Sequence, residues 1–170
     1  MPSNESMSDG QGASKGEVHD GLIEQLQAAI ESTFESIVLP FEGVEVHDAE
    51  EGEENVTVRA TINFDGDVEG HVLIHCTLSG AHDISRGMLM LEEGDPLELE
   101  DVQDAMGECA NLVAGVLKRN AFDKTGEVRM SCPTVEVDAQ VKQFPDPDAQ
   151  LAYKLIRGVS AAEVWVRQPS

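Results

Sequence analysis

The chain has 170 residues, 41% of them hydrophobic, and its 33 acidic against 11 basic side chains give a formal charge of −22. This length and apolar content fit one domain with a substantial core, and the charge argues against nucleic acid or an anionic membrane surface as a direct partner. No stretch reaches the roughly 18 apolar residues of a membrane-spanning helix. With no secretory signal in the polar N-terminal region, the cytoplasm is the expected location.

The N-terminal part is predicted to be a tail followed by a helix. Residues 1–18 are rich in serine, glycine and acidic side chains and offer almost nothing to bury, which is typical of a disordered tail. Residues 19–168 would then form the folded domain. From Asp20, a plausible N-cap, apolar residues recur with helical spacing until Pro40 ends the helix.

A hairpin and a short helix are predicted next. The acidic stretch 42–54 should be solvated apart from one short strand. Residues 55–78 alternate between apolar and polar on either side of a tight turn at Asp65-Gly66, the pattern of an antiparallel hairpin. Ser79 is then expected to cap a helix over residues 81–90.

A long helix over about residues 97–122 dominates the second half of the chain. It is followed by candidate strands at residues 127–130, 134–137, 141–144, 151–156 and 163–166. This segregated order predicts an α+β fold with two layers, in which long helices pack on an antiparallel β-sheet. The sequence contains neither a glycine-rich phosphate loop after a strand nor a nucleophile elbow.

Cysteine and histidine spacing gives no sign of a metal site. Cys76, Cys109 and Cys132 lack the Cys-x-x-Cys and Cys-x-x-His patterns, so we expect them to be reduced, small core residues. His71 and His75 share a strand face, but at about 3.3 Å per residue they lie about 13 Å apart. The chain is therefore predicted to bind no metal.

A polar stripe on the long helix is the strongest functional signal. At about 100° per residue, Asp104, Glu108 and Asn111 fall within roughly 60° of one another. The opposite side is apolar and would face the core through Val102, Met106, Cys109, Val113, Val116 and Leu117. The stripe thus offers a carboxylate and a carboxamide to a partner, although a merely solvated face is the alternative.

Two glycines accompany the stripe. Gly107 lies on its flank and Gly115 lies on it, and each costs about 1 kcal/mol relative to alanine in a helix interior. Close approach of a partner backbone would explain both glycines. The alternative is that they accommodate the crossing of the first helix.

Three segments of the sequence carry a family resemblance: F-D-G-D-V-E-G-H-V-L-I at residues 64–74, D-A-M-G-E-C-A-N-L-V-A-G at 104–115 and V-R-M-S-C-P-T-V at 128–135. They resemble the CheC/CheX/FliY family of chemotaxis phosphatases, whose mark is Asp or Ser, three residues, Glu, two residues, Asn. The single copy of the full motif resembles CheX more than the two-site CheC. The resemblance implies a CheX-like fold and hydrolysis of the aspartyl phosphate of a CheY-type receiver domain. It implies no cofactor on this chain, because Mg²⁺ is expected on the receiver.

The resemblance also implies roles for individual residues. Glu108 would pair with a receiver lysine and fix docking, and Asn111 would enter the receiver's site and orient the attacking water. Asp104 would flank this pair. Gly107 and Gly115 are further candidates for partner contact, because of the close backbone approach that their missing side chains allow. Relatives of the CheX type further imply a homodimer that pairs through sheet edges and leaves the long helix free.

Three alternative hypotheses are also considered. A non-catalytic receiver-binding or scaffold module would keep the same fold and polar face, although it has no need of the Asn111 amide. A structural homodimer could instead bury the long helix. In the first helix, Asp20, Glu24 and Gln27 repeat the motif spacing with glutamine for asparagine. The extra methylene should misplace the amide, so we do not expect a second site there.

Overall fold

The computed structural model describes residues 15–37, 41–45, 58–124, 126–137, 149–155 and 158–167. Within these ranges the elements are α1 (Lys15–Ser36), β1 (Phe41–Glu45), β2 (Val58–Gly66), β3 (Glu69–Cys76), α2 (Leu78–Leu89), α3 (Leu99–Leu117), β4 (Val128–Met130), β5 (Thr134–Val137), β6 (Ala149–Leu155) and β7 (Gly158–Arg167). A π-helical turn, Lys118–Phe122, continues α3. None of the helices in these ranges has the length and hydropathy needed to cross a membrane.

The strands form one antiparallel sheet in the order β1-β6-β7-β3-β2-β4, and β5 also pairs with β2. One edge of β2 pairs with β3 from Val58, opposite Cys76, to Phe64, opposite Gly70. The other edge of β2 pairs first with β5 and then with β4. Residues 131–133 therefore stand opposite only two residues of β2, which makes the junction of β4 and β5 a β-bulge.

The helices cover one face of this sheet. Alternate residues of β2 and β3 point toward α1 and α3, because successive side chains of a strand face opposite sides. Phe64 packs edge-to-face on Phe122, with ring centroids 5.1 Å apart. The buried cluster contains Leu26, Ile30 and Phe34 of α1, Val58, Ala60, Ile62 and Phe64 of β2, Val72, Ile74 and Cys76 of β3, and Val102, Met106, Cys109, Val113 and Leu117 of α3.

The predicted α+β architecture is confirmed, and so is the hairpin, but its turn lies further along the chain. β2 continues through Gly66, so the turn falls at Asp67-Val68 instead of Asp65-Gly66. Gly66 has a φ of +126°, and a Cβ there would collide with the carbonyl oxygen of Glu127 beside β4. Glycine is thus required here by close strand pairing, which the sequence pattern had attributed to a turn.

Helix starts differ from the predictions more than helix ends do. α1 begins at Lys15, five residues before the predicted cap Asp20 and inside the segment expected to be a tail. α2 is capped by Thr77, whose hydroxyl accepts a hydrogen bond from the amide of Gly80 at 3.1 Å, and not by Ser79. Both hydroxyl residues suit an N-cap, and the end of β3 at Cys76 decides between them.

The other predicted elements are found largely where they were expected. α3 and its π-helical turn together cover the predicted long helix, and β4 to β7 match four of the five predicted strands. β7 is longer than predicted and pairs with β3 from Ser160 to Arg167. The predicted strand at residues 141–144, like residues 1–14 of the predicted tail, lies outside the described residues.

Candidate active site

The two faces of α3 are those that the sequence predicted. Val102, Met106, Cys109, Val113 and Leu117 are fully buried, and Val116 packs against the same core. On the opposite side Asp104 and Glu108 are exposed and Asn111 is half-buried. Between Val102 and Leu117 the helix therefore packs one face on the core and turns the polar stripe outward.

The polar side chains of the stripe are available for a partner. Within the described part of the chain, Asp104, Glu108 and Asn111 make no side-chain hydrogen bond or ion pair. Side chains three or four residues apart on a helix have Cβ atoms about 5–6 Å from each other, so the carboxylate and the amide stand side by side. A carboxylate can bind a cation, and a carboxamide can donate and accept hydrogen bonds without bringing charge.

Capping and packing hold this helix in place. The backbone N–H of Glu98 donates to Oδ2 of Asp101 at 3.0 Å, which satisfies one donor at the start of α3. Small residues in the middle of the helix are buried and bring its backbone close to its neighbours: Ala105, Gly107, Ala110 and Ala114. The polar stripe is thus carried on a fixed element.

Gly107 is explained by contacts within the chain. It is buried, and a Cβ on it would lie 3.2 Å from Cγ of Pro133 and 3.5 Å from Cγ2 of Val135. The sequence had suggested the approach of a partner backbone at Gly107, but the element that approaches is the bulge between β4 and β5. Gly107 therefore has a packing role within the chain, and its contact with a partner remains a prediction.

The bulge is held against β2 by Ser131. Its backbone N–H donates to the backbone carbonyl oxygen of Asn63 at 2.9 Å, and its hydroxyl accepts from the backbone N–H of Asn63 at 3.0 Å. These bonds replace the regular strand pairing that the bulge interrupts and turn Pro133 toward Gly107. The segment 128–135, singled out in the sequence for its resemblance, thus supports the helix that carries Glu108 and Asn111.

Gly115 has a different environment from Gly107. It is half-buried, and among the described residues, apart from its chain neighbours and the backbone of its own helix, the atom within 4 Å of the position of its missing Cβ is Nη1 of Arg119, at 3.7 Å. Space for a Cβ is therefore available, and the internal packing described here does not require glycine. Contact of Gly115 with a partner remains a prediction.

Opposite effects on stability are expected from enlarging these two glycines. Gly107→Leu should lower the free energy of unfolding by about 1–3 kcal/mol through overpacking against Pro133. Gly115→Ala should raise it by up to about 1 kcal/mol, because alanine favours the helix. Urea denaturation of both variants beside the parent chain measures the two effects. Changes of the same sign would contradict this account of the glycines.

The cysteines are not equivalent, so one expectation is wrong. Cys76 and Cys109 lie in the core as predicted, but Cys132 is exposed in the bulge. Burial raises the pKa of the Cys109 thiol to about 12, and the nearby charge of Glu108 adds to the shift. Burial likewise raises the pKa of Cys76. Both core thiols are therefore protonated and poorly reactive at neutral pH.

A thiol count is expected to separate these cysteines. At pH 8 the folded protein should react rapidly with a chromogenic disulfide reagent at one of its three cysteines, Cys132. All three should react after denaturation in guanidinium. Cys132→Ser should abolish the rapid phase, and fast release from two or more sites in the folded protein would contradict the burial of Cys76 and Cys109.

The first helix does not offer a matching pair of free groups. Gln27 is half-buried, and its Nε2 donates to Oε1 of Glu31 at 2.9 Å, so the amide is already engaged within α1. The side chain of Asp20 lies outside the described residues. Among the side chains that are described, no group of three histidine, cysteine or acidic residues is arranged to hold a metal ion.

Sequence reasoning missed two residues beside the stripe. Pro133 is 26 residues away from Gly107 in the chain, and no local sequence pattern predicts that the two residues are in contact. Arg119 follows Gly115 by four residues, so the helical spacing that selected Asp104 and Glu108 could also have selected it.

Comparison with known protein families gives one match. Residues 58–152 match the family described as chemotaxis phosphatase CheX, and the match covers more than half of the chain. The chain belongs to the CheX family. All the predicted site residues of this CheX-family protein lie inside the matched region. No curated protein has a significantly matching sequence.

Solved structures share the fold of this CheX-family protein at low sequence identity. The CheX-CheY-BeF3-Mg²⁺ complex from Borrelia burgdorferi matches with a TM-score of 0.68 at 18% identity, covering 86% of this chain and 97% of that one. The chemotaxis protein CheX from Vibrio vulnificus also has a TM-score of 0.68, at 17% identity, covering 86% and 99%. FliY from Thermotoga maritima has a TM-score of 0.58 at 15% identity, covering 91% and 92%.

Proposed function

We propose that this CheX-family protein accelerates hydrolysis of the aspartyl phosphate on a CheY-type receiver domain. Glu108 would bind a cationic side chain of the receiver and fix the docked position. Asn111 would hold the attacking water. The observation that carries this proposal is the pairing of an exposed carboxylate with an unengaged amide, one turn apart, on a helix whose other face is fixed in the core.

A receiver partner is supported by one structural neighbour. In the Borrelia burgdorferi complex, CheX is bound to CheY together with BeF3 and Mg²⁺. By analogy, Mg²⁺ would come with the receiver. The acidic groups of the α3 stripe would then be used for docking, and the chain would need no metal of its own.

The proposed reaction requires this protein to do little more than position one water molecule. Water attacks the phosphorus, the bond between phosphorus and the aspartyl oxygen breaks, and the products are inorganic phosphate and the free aspartate. Catalysis of such transfers depends mainly on positioning and on charge stabilisation. A hundredfold acceleration corresponds to about 2.7 kcal/mol, which is within the effect of holding one water in line for attack.

Asparagine is well suited to hold that water. Its carbonyl oxygen accepts a hydrogen bond from the water, and its NH₂ group donates to a phosphoryl oxygen. A carboxylate at the same place would repel the anionic phosphoryl group. The partial burial of Asn111 restricts its side chain, so less conformational freedom is lost when the receiver docks.

Phosphate loss from a purified phosphorylated receiver in Mg²⁺ tests the proposal. Addition of the protein should increase the first-order rate, with saturation as its concentration rises. Gln27→Ala serves as the control and should leave that increase unchanged. Equal decay with and without saturating protein would remove the enzymatic claim, and measurable binding without acceleration would favour the scaffold alternative.

Self-association belongs to the same proposal. The resemblance implies a homodimer joined through sheet edges, and such a dimer would leave the α3 stripe open to a receiver. Light scattering coupled to size-exclusion chromatography measures the mass directly. Loss of receiver binding on dimerisation would instead favour a dimer that buries α3.

A further inference from the structure

Charge is distributed unevenly along the exposed side of α3 and its π-helical turn. The first half carries Glu100, Asp101, Asp104 and Glu108, all of them exposed. From Asn111 to Phe122 the sequence contains no acidic residue, although the chain as a whole has a formal charge of −22. The two basic residues of this stretch, Lys118 and Arg119, follow each other in the π-helical turn.

These two bases have different environments. Nζ of Lys118 is paired with Oδ1 of Asp123 at 2.6 Å, so its charge is compensated within the chain. Arg119 is exposed, and it forms no ion pair with any described residue. The charge of Arg119 is thus not compensated by an acidic side chain among the described residues.

The guanidinium of Arg119 lies on the polar stripe itself. Its Nη1 is 3.7 Å from the position of a Cβ on Gly115, so the side chain folds back over the gap that this glycine leaves. Gly115 follows Asn111 by four residues, a rise of about 6 Å along the helix. The cation therefore stands about one turn beyond the proposed catalytic amide.

We infer that Arg119 binds a carboxylate side chain on the receiver surface beside the phosphorylation site and so helps to select and orient the receiver. This inference rests on the proposed function, because it assumes that a receiver docks on the α3 stripe. Arginine presents a rigid fork of donors that matches a carboxylate.

A carboxylate fits this position better than the phosphoryl group does. A water held by Asn111 must lie next to the phosphorus, which places the phosphoryl group at the level of Asn111 on the helix. The guanidinium lies about 6 Å further along, beside Gly115. Arg119 should consequently act on docking and not on the chemical step.

The stripe then has a negative end at Glu108 and a positive end at Arg119. The guanidinium beside Gly115 lies about 10 Å of helix rise beyond Glu108, with Asn111 between them. A receiver with a basic and an acidic group at matching separation docks in one orientation, because the reversed orientation would bring like charges together. Although the whole chain is acidic, Arg119 thus provides a positive site that can bind a carboxylate of an acidic receiver.

Charge reversal at Arg119 tests this inference against a matched control. Arg119→Glu should raise KM for the phosphorylated receiver about tenfold or more and leave kcat within twofold. Lys124→Glu makes the same charge change at an exposed residue beyond the π-helical turn, and it should leave both constants within twofold. Arg119→Lys should fall between the parent and Arg119→Glu. Thermal unfolding checks that each variant is folded.

Direct binding distinguishes failure of this inference from failure of the proposed function. Calorimetric titration of the unphosphorylated receiver gives a Kd that does not depend on hydrolysis, and Arg119→Glu should raise it by the same factor as KM. An effect on Kd no larger than that of Lys124→Glu, or a fall in kcat at unchanged KM, would overturn the role of Arg119. A parent protein that binds but does not accelerate phosphate loss would contradict the proposed function while leaving the docking role intact.

Discussion

Asn111→Ala is expected to remove most of the acceleration of phosphate loss, lowering the rate at saturating receiver by about a hundredfold, or about 2.7 kcal/mol. The variant keeps Glu108 and the core face of α3, so the folded state and KM should change little. Its amide is lost, and the attacking water is then held by the receiver alone. Single-turnover measurements with excess protein report this step separately from docking.

Two further substitutions at Asn111 sharpen the test. Asn111→Gln keeps the amide but displaces it by one methylene, so it should recover little of the activity. Asn111→Asp keeps the shape and adds a negative charge facing the phosphoryl group, so it should be as slow as the alanine variant. Retention of more than half of the parent rate by Asn111→Ala would show that the amide does not hold the water.

Glu108→Ala is expected to act on docking, raising KM about 10- to 100-fold while kcat at saturation stays within a fewfold of the parent value. The exposed carboxylate is proposed to pair with a receiver lysine. A 10- to 100-fold change corresponds to about 1.4–2.7 kcal/mol, near the lower end of the cost of removing one partner from a desolvated charge pair. Initial rates over a range of phosphorylated receiver concentrations separate the two constants.

Glu100→Ala is the matched control for this change. Glu100 is also an exposed acid of α3, in its first turn, and its removal alters the net charge by the same amount. It should leave KM within twofold. Equal effects of the two substitutions would mean that KM depends only on the total negative charge of the helix, and that Glu108 forms no specific pair with the receiver. Added salt should weaken the parent's advantage over Glu108→Ala, because screening reduces the charge pairing.

Periodicity carried most of what the sequence could predict. Both faces of α3 follow from a spacing of 3.6 residues, and the pairing of β2 with β3 follows from alternation over residues 58–76. In both cases an apolar side chain needs only to be buried in the core, and no particular contacting residue has to be known. A local pattern is then sufficient to say which side is buried.

The features that escaped prediction depend on particular partners far away in the chain. Glycine is needed at position 66 because Glu127 lies close to it, and at position 107 because Pro133 does. Neither contact can be predicted from the residues that surround the glycine in the sequence. Cys132 is exposed because the bulge carries it out of regular pairing. Thr77 and Ser79 are equally good caps in isolation, so the start of α2 was decided by where β3 ends.

Segregation of the two sides of α3 has a consequence for how such proteins diverge. Surface positions outside special contacts usually change stability by less than about 0.5 kcal/mol when substituted. The side chains proposed to choose a receiver are of this kind, and those that fix the helix are on its other side. Substrate preference could therefore drift between lineages without threatening folding, which accords with neighbours that keep this architecture at 15–18% identity.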